Sequence, residues 1–176
     1  MNVCELINTG LITKEEKGYI KFATFIKDDA MAKLYEKFVL NFYKRELQDY
    51  KVSSPLINWQ LDEIPSDDLL PVMKTDIELE KGRDKLIIDT KYYKNARNKS
   101  NFSDTGTLIS SNLYQIFAYV KNADSNYNVS GMLLYPTVDY DLDQRYEMSG
   151  NSIYVKTVNL GEEFERIKKR LLGVVG

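Results

Sequence analysis

The chain has 176 residues, a net charge of −2, one cysteine and no histidine. That length suits one domain, able to bury about two thirds of its unfolded surface without disulfide or metal staples. The lone Cys4 excludes internal disulfides and cysteine-based zinc sites, and the lack of histidine excludes histidine-containing triads, histidine-ligated zinc and any histidine general base, so acid–base and metal chemistry falls to Asp, Glu, Lys and Tyr.

Met1-Asn2-Val3-Cys4-Glu5 lacks the basic start and long apolar core of a secretion signal. No apolar run reaches the roughly 20 residues that span a bilayer. The expectation is a cytoplasmic protein without a membrane segment, with Cys4 as a small buried apolar group. Val3 to Ile7 resembles the tail of a helix closed near Gly10, so residues 1–29 read as an extension or the remnant of an upstream region, and the chain as a candidate fragment of a longer protein. Asp28 and Asp29 fall where a helix cap belongs. Met31, Leu34, Tyr35, Phe38, Val39 and Phe42 then recur at three- and four-residue spacing, predicting an amphipathic helix over about 30–49.

Leu56 to Leu61, after Pro55, reads as a first strand, and the acidic stretch 62–70 as a loop. Val72–Glu80 and Lys85–Tyr93 form a predicted hairpin around Lys81-Gly82-Arg83-Asp84. Leu86-Ile87-Ile88 is a continuous apolar run, as in a central strand covered on both faces. The polar stretch 94–109 reads as a loop, and a helix is expected over about 110–122. Val129–Tyr135 reads as a strand ended by Pro136. After an acidic loop and a turn at Gly150-Asn151, Ser152–Val158 is a further strand. Glu162–Leu172 is a closing helix with acids first and bases last. The order predicts an α/β domain over 30–176: a mixed central sheet flanked by helices.

The chemistry gathers on the hairpin. Asp89 and Lys91 are two apart in a strand and share a face, and the hairpin brings Asp76 alongside. Two carboxylates and an ammonium at one point can hold a hard divalent cation and steady a charged transition state. Asp76 and Asp89 are the expected ligands for magnesium or manganese. A plain Asp89–Lys91 salt bridge is the structural alternative. Glu78 and Glu80 share the face of Asp76 and are alternative or additional ligands. On the helix near 115, Leu113, Ile116, Phe117 and Val120 make the apolar stripe, with Asn112, Gln115 and Tyr119 on the other face. Gln115 and Tyr119, four apart, could contact a phosphate or orient Lys91. Glu36, at the edge of the first helix's stripe, could act on a metal through water. Lys94, Arg97 and Lys99 follow the site in a basic, aromatic-bearing stretch that could track a phosphate backbone; a solvated loop is the bland alternative.

Leu34-Tyr35-Glu36-Lys37-Phe38-Val39, Met73-Lys74-Thr75-Asp76-Ile77, Leu86-Ile87-Ile88-Asp89-Thr90-Lys91-Tyr92-Tyr93 and Leu113-Tyr114-Gln115-Ile116-Phe117-Ala118-Tyr119 together resemble the PD-(D/E)xK nuclease superfamily, and within it the McrC subunits of McrBC modification-dependent restriction systems. The resemblance covers roughly residues 30–136. The superfamily's usual Pro-Asp is Thr75-Asp76 here, a change that spares the acid. Against that resemblance, most of the N-terminal region that couples McrC proteins to their GTPase is expected to be missing, which reads either as a fragment or as a small nuclease relative that works differently. The resemblance implies a restriction-endonuclease-like core and magnesium-dependent hydrolysis of DNA. Asp76, Asp89 and the Thr90 main-chain carbonyl would hold the ion, and Glu36 an outer water. Lys91 would position the attacking water or stabilise the transition state, while Gln115 and Tyr119 position the substrate. It also implies a partner, an McrB-like GTPase of the AAA+ class, because this chain has no phosphate-binding loop of its own. The alternatives are a self-sufficient RecB-like repair or recombination nuclease, which shares a Gln-x-x-x-Tyr element, and a non-catalytic DNA-binding or assembly module of the same fold.

Overall fold

The computed structural model describes residues 4, 5, 7, 20–63, 69–92, 108–137 and 141–175, with side chains in the first long helix from Asp29 onward. Its elements are α1 (Ile20–Glu46), β1 (Lys51–Ser53), β2 (Leu56–Ile57), β3 (Met73–Lys74), β4 (Ile77–Lys81), β5 (Asp84–Thr90), α2 (Ser110–Asn122), β6 (Asn128–Thr137), β7 (Asp143–Met148), β8 (Asn151–Asn159) and α3 (Phe164–Gly173). Six strands form one sheet in the order β1-β4-β5-β6-β8-β7, and β2 and β3 form a separate two-stranded ribbon. The β5–β6 and β6–β8 pairs are parallel, and the remaining pairs are antiparallel. The expected mixed sheet with flanking helices is therefore observed.

The sheet separates two apolar layers. Met31, Tyr35, Val39 and Phe42 of α1 pack with Ile167 and Leu171 of α3 against Ile77, Leu79, Ile88, Met132 and Leu134. On the other face, Ile116, Tyr119 and Val120 of α2 and Ile57 and Met73 of the ribbon pack on Ile87, Leu133, Tyr135, Ile153 and Val155. Alternation in β5 sends Ile87 to one layer and Ile88 to the other, so the apolar run is covered on both faces as expected. Cys4 is buried and free, and burial pushes its thiol above the ordinary value. Among the described residues, no helix is long and apolar enough to cross a membrane.

Several expected boundaries are corrected. The first long helix begins at Ile20 rather than near residue 30, and Asp28 and Asp29 lie inside it. No glycine or proline intervenes between Gly18 and Pro55, so nothing in the backbone requires a break. Asp29 instead pairs with Lys33 one turn on, at 2.8 Å. The expected first strand, Leu56 to Leu61, shrinks to β2, which joins the ribbon, and the unexpected β1 before it joins the sheet edge through β4. Turn residues are Ser149 and Gly150, with φ of 48° and 83°, and Asn151 already pairs in β8. Positive φ at both central residues is the two-residue hairpin geometry that matches strand twist. The acidic stretch before that turn contains β7, an edge strand.

Pro136 does not end β6 but pairs with Val158 inside it. The Leu134 carbonyl faces β5, where it accepts from the Lys91 N–H at 3.0 Å, and the Thr137 carbonyl faces β8, where it accepts from the Leu160 N–H at 2.9 Å. By alternation the Pro136 nitrogen faces the β5 side, two residues past the end of that pairing at Leu134, so no ladder hydrogen bond is lost.

Gly131 sets how closely α2 can approach. A Cβ built there would lie 2.7 Å from Ile116 Cγ1, 2.9 Å from Val120 Cγ2 and 3.1 Å from Ile153 Cδ1. Gly131→Ala is expected to destabilise the fold by about 1–3 kcal/mol through overpacking. Denaturant melts of the two proteins check this. Equal stability would mean that α2 can lift from the sheet freely.

Candidate active site

The site sits at the carboxyl end of β5. The β3–β4 segment leaves regular pairing at Thr75 and Asp76. There the Thr75 N–H and hydroxyl both donate to the Pro55 carbonyl at 3.1 Å, and the Thr75 carbonyl accepts from Ser54 Oγ at 2.6 Å. These bonds hold Thr75, fully buried, against the β1–β2 connection. Extending the register from Ile77↔Ile88 sets Asp76 opposite Asp89. Asp76 Oδ2 accepts two hydrogen bonds of 2.7 Å, from the Thr90 N–H and from Thr90 Oγ1.

Asp89 is 2% exposed. Lys91 Nζ lies 2.7 Å from its Oδ2, an ion pair whose angles do not make a hydrogen bond; among the described residues Oδ2 has no hydrogen-bond partner. Burial is the main cause that pushes the Asp89 carboxyl up to about 6, with Lys91 opposing and Asp76 and Glu36 adding to the rise. The Lys91 ammonium donates to Gln115 Oε1 at 2.7 Å, and Gln115 Nε2 donates to the Tyr119 hydroxyl at 2.7 Å. An ammonium only donates, which fixes the amide's orientation. Burial also holds the Tyr119 phenol above its ordinary value.

This relay corrects the predicted face of α2. Asn112 and Tyr119 are buried against the sheet, and the Asn112 side-chain amide donates to the buried Tyr135 hydroxyl at 3.1 Å. Polar residues on the inner face were misjudged because each finds a polar partner on or beside the sheet. Glu36 of α1 is half-buried. Its carboxyl is raised, first by burial and then by the charge of Asp76, with Lys74 opposing. Glu36 thus lies within electrostatic reach of both Asp76 and Asp89.

Glu78 and Glu80 turn elsewhere. They flank Lys85 Nζ at 3.5 and 3.3 Å, nearer the hairpin turn, and that ammonium also lies 3.9 Å from the centre of the Tyr127 ring. Their carboxylates are engaged in a structural ion cluster. Lys94, Arg97 and Lys99 lie outside the described residues. Three participants escaped the sequence reading: the Thr90 hydroxyl, Lys74, and the Asn112–Tyr135 pair. Only Lys74 had a sequence signal, its spacing of two from Asp76. A surface cleft lined by Gly82, Arg83 and Asp124 to Asn128 lies at the opposite end of β5 and contains none of the site residues.

The donor chemistry suits a hard cation. Asp76, Asp89 and the Thr90 carbonyl offer only oxygen, and Glu36 is a third carboxylate in electrostatic range. A buried carboxylate whose near neighbour among the described residues is one ammonium retains lone pairs that an ion can satisfy. Among the described residues, no three acidic or cysteine side chains are gathered closely enough to chelate an ion unaided. Waters would complete such a shell, as magnesium commonly requires.

With the geometry established, comparison with known proteins identifies the class. The sequence profile of a family described as "McrBC 5-methylcytosine restriction system component" matches residues 1–136. The chain belongs to this family. It is 34% identical over 179 aligned positions to the "Type IV methyl-directed restriction enzyme EcoKMcrBC" of Escherichia coli (strain K12), an alignment covering 99% of this chain and 51% of that protein. The chain therefore spans about half the length of that relative. The McrC-like resemblance carried by the four motifs is borne out.

Proposed function

We propose that this chain is the magnesium-dependent endonuclease component of an McrBC-like restriction system, a PD-(D/E)xK nuclease acting in the cytoplasm and directed to its DNA by an McrB-like GTPase. The observation that carries this reading is the convergence of Asp76, Asp89, Lys91 and Gln115 at one end of β5 in a chain of this family.

Asp76, Asp89 and the Thr90 carbonyl would hold the ion, with Glu36 acting through water. Magnesium bound there supplies Lewis-acid polarisation of the scissile phosphate and a more acidic water. The chain's own residues do the rest. Lys91, held by Gln115 at 2.7 Å, keeps a fixed positive charge beside the reacting phosphate, where negative charge grows in the transition state. Tyr119 braces Gln115, so the ammonium is oriented before substrate arrives. Burial of Asp89 excludes water from one side of the site and strengthens each of these interactions.

A net charge of −2 gives the chain no overall positive charge with which to draw in a duplex. Each phosphate contact contributes through counterion release, so a few contacts give weak, salt-sensitive binding. A partner that holds DNA raises the local substrate concentration without new chemistry. The test is plasmid cleavage at physiological salt with magnesium, with and without an McrB-like GTPase, GTP and modified cytosine. Cutting is expected only in the complete mixture. Rapid multiple-turnover cutting by this chain alone would favour the self-sufficient nuclease. A well-assembled, inert mixture would favour the non-catalytic module.

A further inference from the structure

We infer that the Thr90 side chain is a positioning residue for Asp76, acting through its hydroxyl and separately from any contribution of the Thr90 main-chain carbonyl. The argument begins with the ladder. Lys91 N–H faces β6, so by alternation Thr90 N–H faces β4. In a continued hairpin it would donate to the carbonyl of Thr75, its opposite in register. That carbonyl is turned to Ser54 Oγ instead, at 2.6 Å. The Asp76 carboxylate takes the vacated place, accepting the Thr90 N–H at 2.7 Å.

One hydrogen bond would leave the carboxylate free to swing, because the last torsion of an aspartate is broad. The second bond, from Thr90 Oγ1 at 2.7 Å to the same Oδ2, removes that freedom. Both are hydrogen bonds to an ionised acceptor and correspondingly strong. Holding Oδ2 from two directions reserves Oδ1 for an incoming cation. Only serine or threonine can do this at residue 90: the donor must sit one atom beyond Cβ on a residue whose N–H also faces β4. Groups that orient metal-binding carboxylates in this way typically contribute about 10–100-fold to metal affinity.

The inference rests on the metal-site reading above, and the experiment separates the two. Manganese binding to the full chain is measured by titration calorimetry for the parent, Thr90→Val, Thr90→Ser and Asp89→Asn. Valine keeps the β-branched shape and the backbone donor but loses the hydroxyl; a thermal melt checks that it is folded. The expected result is parent binding that Asp89→Asn eliminates, about tenfold or more weaker binding by Thr90→Val, and near-parent affinity in Thr90→Ser. Parent-like affinity in a folded Thr90→Val, with Asp89→Asn still defective, would overturn the positioning role and leave the metal site standing. Failure of the parent to bind manganese, or unchanged binding in Asp89→Asn, would overturn both.

Discussion

Asp89→Asn is expected to lower DNA cleavage by the assembled complex at least about 1,000-fold while leaving the chain folded. The substitution keeps the shape of the side chain and removes the charge with which it would hold magnesium. A bound cation stabilises transition-state charge by several kcal/mol, and each 1.36 kcal/mol lost is about tenfold in rate. The fold should tolerate the change because its environment already resists ionisation: burial pushes the Asp89 carboxyl up to about 6. Cleavage assays and thermal melts on the same preparation check both halves. Full activity in a well-folded variant would remove Asp89 from the site.

Lys91→Met should cost about 100–1,000-fold in the cleavage rate at saturating magnesium, the range typical of losing one preorganised group aimed at developing charge. Methionine retains most of the aliphatic stem and loses the ammonium. Two groups then lack their partner, Asp89 at 2.7 Å and Gln115 at 2.7 Å. The diagnostic is where the loss falls. If Lys91 acts on the transition state, the maximal rate falls and the magnesium dependence changes little. If Asp89–Lys91 is a purely structural salt bridge, the protein melts lower and the folded fraction cuts at the parental rate. Single-turnover rates across a magnesium series distinguish the two.

How much could be read from the sequence depended on what each residue's partner was. The helix at 110–122 matched because its apolar spacing is set by the helix itself. Leu86-Ile87-Ile88 was legible because both faces of β5 are covered. β7 was not: Asp143 to Glu147 are exposed on an edge strand, so no alternation marks them, and only pairing with β8 makes them a strand. The same limit applied to β1, three residues at the opposite edge. In the site, the two-residue spacing of Asp89 and Lys91 placed both on one face, and the hairpin brought Asp76 beside them. Glu78 and Glu80 shared that spacing and went elsewhere because Lys85, nearer the hairpin turn than the site, pairs with both. The bond from Thr90 to Asp76 had no periodic signal at all, since it depends on where the ladder stops.

The connectivity of the sheet orders the assembly of these parts in time. Asp76 and Asp89 stand on neighbouring strands of an antiparallel hairpin whose turn is only Gly82 and Arg83. Such local contacts close in microseconds. The partner that aims Lys91 arrives differently, on a helix within the crossover that must return the chain to β6 beside and parallel to β5. Closing that longer loop has an entropic cost before any contact offsets it. A folding chain is thus expected to bring its carboxylates side by side before its lysine meets Gln115, which makes the oriented ammonium the last feature of the constellation to form.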